Sequence, residues 1–228
     1  MSEPDQALRQ LLRRSPLFAR LGNPEADAIL AHATIVRYPE GDPIFAKGEP
    51  GNSMMAVLSG RVSITAPSPD GRQVVLSVLR EGEVFGEIAL LDGKERTADA
   101  TAATDCELLV VTRRDFLSVL RRQPELGLQL LMVFCERIRR TDEQVEDLAF
   151  LDLETRIAKT LLRLAEEQNG GHVGAAAGVR ISQRALGEIV GGSRESVNKH
   201  LQYWKRAGII AIGKGAISIR DTAALAGS

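Results

Sequence analysis

The period of the apolar positions changes twice along this 228-residue chain. The opening stretch DQALRQLLRR spaces its leucines helically and predicts a short helix. From about Ala33 to Thr112 that period gives way to short apolar runs separated by Gly41, Gly48, Gly51, Gly60, Gly71, Gly82, Gly86 and Gly93. Val62 and Ile64 alternate with polar neighbours, as do Val74, Leu76 and Val78, and Asp70-Gly71 between them favours a hairpin turn. Many short strands joined by glycine turns predict an antiparallel barrel or jelly roll.

Beyond Arg113 the period is helical as far as Gln168, with a break expected near Leu151-Asp152. The stretch from Pro124 to Leu151 is long for a globular helix. Along it Leu131, Phe134, Ile138, Thr141, Val145 and Leu148 step 3, 4, 3, 4, 3, a heptad seam suited to a second copy of the same helix. The alternative is a core helix lying on its own domain. Thr141 is polar within the seam and Asp142 follows it; such groups cost stability unless something pairs with them, and a ligand is one candidate.

Further on, Ser182 suits the N-cap of a helix ending near Val190, Gly191-Gly192 makes a turn, and Ser193 caps a second helix running to about Arg206. Val197, Leu201 and Trp204 share one face of that helix; Arg194, Glu195, Asn198, Lys199 and Gln202 share the other. With Gly187 allowing close approach, this is a helix-turn-helix pattern. The tail IIAIGKGAISIR reads as two short strands around Gly213-Lys214-Gly215, a wing. The expected class is α+β: an N-terminal antiparallel β-roll (jelly-roll) domain at 1–123, a dimerisation helix and hinge at 124–151, and a C-terminal winged helix-turn-helix domain at 152–228.

Composition narrows the function. No apolar stretch approaches the ~18 residues of a membrane span, and the polar N-terminus is no signal peptide, so a soluble cytoplasmic protein without a membrane partner is expected. Cys106 and Cys135 lie far apart, and His32, His172 and His200 are scattered, which argues against a disulfide framework or a metal site. From Phe150 onward there are 11 Lys/Arg against 7 Asp/Glu, a balance of +4; the rest carries 18 against 23, or −5. An acidic first part and a basic last part point to nucleic acid at one end only.

One segment fits neither a core strand nor a surface loop. FGEIALLDGKERTA, residues 85–98, brackets an apolar run between Gly-Glu and Arg-Thr. With LAFLDLETRIAKTLLRLA and ISQRALGEIVGGSRESVNKHL in the same order, it makes the chain resemble the CRP/FNR (catabolite activator) family of bacterial transcription regulators over nearly its whole length. The resemblance implies a phosphate-binding cassette for a cyclic nucleotide. In it Ile88, Leu90 and Leu91 anchor a short helix, and Gly86, Glu87, Ile88 and Ala89 present backbone N–H groups to an anion. Glu87 then accepts from the ribose 2′-hydroxyl, Arg96 offers a charge-assisted fork to the cyclic phosphate, and Thr97 adds a hydroxyl.

By the same resemblance Thr141 of one subunit and Asp142 of the partner subunit lie over the base of cyclic AMP or cyclic GMP, bound as an allosteric ligand in a homodimer. Asp142 stands where the best-known cyclic-AMP-binding member has serine, and Arg-Thr-Ala also resembles cyclic-GMP sites; family frequency favours cyclic AMP. Double-stranded DNA is the implied partner, with RNA polymerase. Arg194, Glu195 and Lys199 are the implied base readers, and Ser182, Gln183 and Ser193 the phosphate anchors. No enzyme is expected, since neither a metal cluster nor a nucleophile with its base is apparent. The rival readings are a ligand-independent DNA-binding regulator with a vestigial cassette and a cyclic-nucleotide phosphodiesterase. His200 stands where the motif usually has an apolar residue and is assigned no role.

Overall fold

A computed structural model describes residues 23–67, 73–168, 178–213 and 216–227. The predicted N-terminal helix, the Asp70-Gly71 turn and the Lys214-Gly215 tip of the wing lie outside the described residues. The chain divides into two compact units, Met1–Arg139 and Arg140–Ser228.

The first unit runs α1 (Asn23–Leu30), β1 (Thr34–Tyr38), β2 (Pro43–Phe45), β3 (Ser53–Ser59), β4 (Val62–Pro67), β5 (Gln73–Leu79), β6 (Val84–Phe85), α2 (Glu87–Asp92), β7 (Asp99–Ala102), β8 (Cys106–Thr112) and α3 (Arg113–Arg122), then enters α4 (Glu125–Phe150). Its strands form two antiparallel four-stranded sheets, ordered β1-β8-β3-β6 and β2-β7-β4-β5. Met55, Val57 and Leu108 of one sheet meet Val62, Leu79 and Ala100 of the other in the roll interior. On the opposite face of the first sheet Met54, Ala56, Leu58 and Leu109 pack against Ile29, Phe116, Val119, Leu126 and Leu130 of the helices. Both faces of β3 are therefore covered, which is why SMMAVLS reads as a continuous apolar run. In β5 the outcome differs from the simple alternation. Val75 and Leu79 face inward, and Val74, Leu76 and Val78 lie on the exposed face.

Helix α4 passes through the division at Arg139–Arg140. Leu131, Ile138, Val145 and Leu148 of its heptad stripe are each more than half exposed, at 55–59%. Phe134 instead packs on the core of the first unit, because the same helix also covers the first sheet of the β-roll.

The second unit holds the end of α4, then α5 (Leu153–Gln168), β9 (Gly178–Arg180), α6 (Gln183–Val190), α7 (Arg194–Arg206), β10 (Ile210–Gly213), β11 (Ala216–Ile219) and α8 (Thr222–Ala226). The break at Leu151-Asp152 is built by capping: the Asp152 carboxylate accepts from the Thr155 amide at 2.8 Å. Val197, Leu201 and Trp204 are fully buried with Ile157, Leu161, Leu186 and Ile217, and β10-β11-β9 forms the antiparallel wing sheet. The class read from the sequence, a β-roll followed by helices and a winged helix-turn-helix, is the class observed.

Candidate functional site

The chemistry of the first unit gathers around α2. Gly86 begins it with φ +76°, a left-handed conformation that favours glycine, and a Cβ there would meet Arg96 Nη1 at 2.5 Å. Gly51 has no such φ, yet a Cβ on it would come within 2.1 Å of the Ala89 Cβ. Both glycines thus clear space for the cassette, one for its cation and one for its helix. Helix geometry leaves the first-turn amides of Ile88 and Ala89 without acceptors inside the helix. At the other end Arg113 donates from Nε to the Leu90 carbonyl at 2.6 Å, capping the helix from α3. Leu90 is fully buried and Leu91 partly so, but Ile88 is 43% exposed and anchors nothing. In a six-residue helix only one side can face the core, and Ala89-Leu90 take it.

Arg96 is buried. Its Nη1 donates to Gly86 O at 2.8 Å and its Nη2 to Ser53 Oγ at 3.1 Å, while the guanidinium carbon stacks 4.2 Å from the Phe45 ring centroid. The loop before β3 fixes its backbone: Arg96 N donates to Glu49 O at 2.8 Å and Gly48 N to Arg96 O at 2.9 Å. Burial pulls the Arg96 pKa down, opposed by the charges of Glu49 and Glu87. Glu87 is 1% exposed, and Arg137 of α4 donates to its Oε1 and to the Val84 carbonyl. Burial pushes the Glu87 carboxyl up; Arg137, its own backbone N–H and Arg96 pull it down.

Two polar atoms in this place are buried without a hydrogen-bond partner, Arg96 Nε and Glu87 Oε2. A buried cation and a buried carboxylate, each with an unused position, beside the open amides of a helix start, fit a ligand that carries both an anion and a hydroxyl. Thr97 is exposed next to Arg96. Arg137 is the residue that sequence reading missed; its standing four positions before Thr141, on the same helical face, was the available signal. Thr141 and Asp142 are exposed on α4 and belong to the second unit.

In the second unit Ser182 Oγ accepts from Ala185 N at 3.1 Å and Ser193 Oγ from Ser196 N at 3.0 Å, so both serines cap as expected. The Ser182 hydroxyl keeps a hydrogen to donate, while Ser193 Oγ also lies 2.9 Å from Ser196 Oγ, where either hydroxyl can be the donor. The turn is sterically specified: a Cβ on Gly187 would meet Gly192 O at 2.7 Å. Arg194, Glu195 and Lys199 are exposed on α7. Gln183 donates one Nε2 hydrogen to Asn198 Oδ1 at 3.1 Å. His200 is half-buried, with Nδ1 3.3 Å from Glu154 Oε2. Among the described residues no cluster of His, Cys, Asp and Glu could hold a metal ion, and no helix is long and apolar enough to cross a membrane.

Comparison with known proteins agrees with this geometry. Residues 35–123 match the cyclic nucleotide-binding domain family, and residues 155–227 the Crp-like helix-turn-helix domain family. The chain is 34% identical to a CRP-like cAMP-activated global transcriptional regulator of Mycobacterium tuberculosis, over 95% of this chain and 97% of that one. It is 34% identical to a cyclic AMP receptor protein of Thermus thermophilus, over 94% and 96%. Among solved structures, the c-di-GMP responsive global regulator CLP of Xanthomonas campestris superposes with a TM-score of 0.79 at 26% identity, covering 87% of this chain and 99% of that one. Fold and matches together define a transcription regulator that carries a cyclic nucleotide-binding domain and a DNA-binding helix-turn-helix domain. The chain belongs to the CRP/FNR family.

Proposed function

We propose that this regulator works as a cytoplasmic homodimer that binds cyclic AMP at the cassette and, with it, a two-fold DNA operator, acting on transcription through RNA polymerase. The observation that carries the ligand reading is the buried Arg96, with an unused Nε beside the open start of α2 and a buried Glu87 within the same cluster. Arg96 receives the cyclic phosphate, the amides of Ile88 and Ala89 share its charge, and Glu87 accepts from the ribose hydroxyl with Arg137 holding the carboxylate in place. The exposed stripe of α4 supplies the dimer seam, where Thr141 and Asp142 meet the base. Cyclic AMP is preferred because two relatives at 34% identity are named for it. Cyclic GMP is the second reading, favoured by the exposed Thr97 hydroxyl beside Arg96.

The switch follows from differential binding. Turning a 1:99 equilibrium into 99:1 takes about 5.5 kcal/mol, or about 2.7 kcal/mol per site in a dimer. A charge-assisted hydrogen bond contributes about 1.5–3 kcal/mol, so one Arg96–phosphate contact stronger in the active arrangement nearly suffices. On the DNA side Arg194 pairs with guanine, Glu195 accepts from cytosine, and Lys199 reaches guanine or phosphate, while Ser182 and Ser193 donate to the backbone. Calorimetry with cyclic AMP, cyclic GMP and c-di-GMP in parallel, followed by a mobility-shift titration with each, tests the reading. Tightest binding and strongest DNA response with cyclic AMP are expected. Silence with all three, or DNA binding that ignores them, overturns it.

A further inference from the structure

Base reading by α7 is assigned above to two cations and one carboxylate, which leaves an amide on the same helix without a task. Asn198 lies one turn after Arg194 and next to Lys199, half-buried on the flank that faces the start of α6. Its Oδ1 accepts from Gln183 Nε2 at 3.1 Å and from Gln202 Nε2 at 3.3 Å. A carbonyl oxygen has two lone pairs, and both are taken inside the protein. What remains is the Nδ2 pair of donors, for which no acceptor is found among the described residues.

We infer that Asn198 is a specificity-determining residue of the DNA interface and that its two donors read acceptors in the major groove, best the adjacent O6 and N7 of guanine. The inference rests on the reading of α7 as the base-reading helix. An asparagine normally selects adenine by accepting from N6 and donating to N7 at once. Here the accepting half of that pair is consumed by Gln183 and Gln202, so adenine offers only its N7 and sets its amino group against the second donor, while cytosine offers an amino group alone. Gln183 thereby becomes a positioning residue: one of its Nε2 hydrogens orients the Asn198 amide. The chemistry also separates Asn198 from its neighbour. Lys199 carries a charge and displaces counterions from DNA; Asn198 is neutral and does not.

Selection of bound sites from a library of randomised two-fold operators tests this, using the full chain with cyclic AMP and, separately, with cyclic GMP. The wild-type protein is expected to enrich guanine over adenine by about tenfold at one position of each half-site. Asn198→Ala should level that position while leaving the others, the salt dependence of binding and the melting temperature nearly unchanged. Asn198→Asp, which can only accept, should shift the same position toward cytosine. Gln183→Leu with Gln202→Leu frees Oδ1 and should admit adenine there. Identical selections by wild type and Asn198→Ala overturn the inference, as does an adenine preference that depends on Asn198. Weakening of every sequence alike makes the residue a phosphate anchor and also overturns it. A wild-type protein that selects no two-fold site overturns the DNA reading itself, and this inference with it.

Discussion

Arg137 of the long helix donates to the buried carboxylate of Glu87, fifty residues earlier in the chain. The cassette and the helix that carries the exposed apolar stripe therefore share one ion pair. Arg137 keeps a third of its side chain in solvent, whereas Glu87 keeps almost none. Replacing Arg137 with Met leaves a buried anion without its counter-charge. A loss of about 3 kcal/mol in urea unfolding is expected, at the low end for breaking a buried pair because Arg137 is partly solvated. Adding Glu87→Gln should recover most of it. Equal losses in the single and double variants would show that the pair does not couple.

Glu87 also sets a pH dependence. Burial raises its carboxyl above the ordinary value of about 4.5, so between that value and the raised one the folded protein holds more protons than the unfolded chain. The contribution of Glu87 to stability is then largest at the acidic end of this window and falls as pH rises through it. Nucleotide affinity should move the other way, because only the ionised carboxylate accepts from a hydroxyl without competition. Chemical denaturation and calorimetry from pH 4.5 upward, wild type against Glu87→Gln, check both signs. Parallel pH profiles for the two proteins would refute the assignment.

Arg96→Ala should lower cyclic nucleotide affinity by about 100-fold, the equivalent of one lost charge-assisted contact. Arg96→Lys keeps the charge but not the fork and should recover only part of that. Association of the subunits, followed by sedimentation, should be unaffected in both.

Gly51→Ala drives a methyl group into Ala89 and should displace α2, costing about 1–3 kcal/mol of stability together with nucleotide affinity. Ala89→Gly in the same protein removes the clash and should restore much of both, as thermal melting and calorimetry would report.

Gly187→Ala places a methyl group against the Gly192 carbonyl and should separate α6 from α7. Loss of DNA binding with nucleotide binding intact is expected, read by mobility shift and calorimetry on one preparation.

Local signals carried much of this architecture. The strands of the first unit begin at Thr34 and end at Thr112, inside the expected limits of about Ala33 to Thr112, and Ser182 and Ser193 cap the helices they were expected to cap. Caps, turns and periods are settled within a few residues, so one sequence displays them. Arg137 was legible only through its place one turn before Thr141, because its partner is remote and an arginine in the charged run ERIRR looks like any solvated residue. Gly51 passed for one more turn glycine, since only the packed structure sets Ala89 against it. Ile88 was misjudged because an apolar run does not disclose which side of so short a helix is covered. In β5 the wholly apolar set Val74, Leu76 and Val78 lies outward, while Val75 and Leu79 face inward in a set shared with Gln73 and Ser77, so alternation alone did not say which set faced inward.

Arg96 is enclosed by the protein itself, hydrogen-bonded to the neutral acceptors Gly86 O and Ser53 Oγ. A guanidinium kept this way turns heat resistance into an assay. An occupant present at a hundredfold excess over its Kd adds about 2.7 kcal/mol to the folded state. Simple melting curves, with neither operator nor reporter, will therefore rank candidate messengers by their affinity for the cassette that holds that charge.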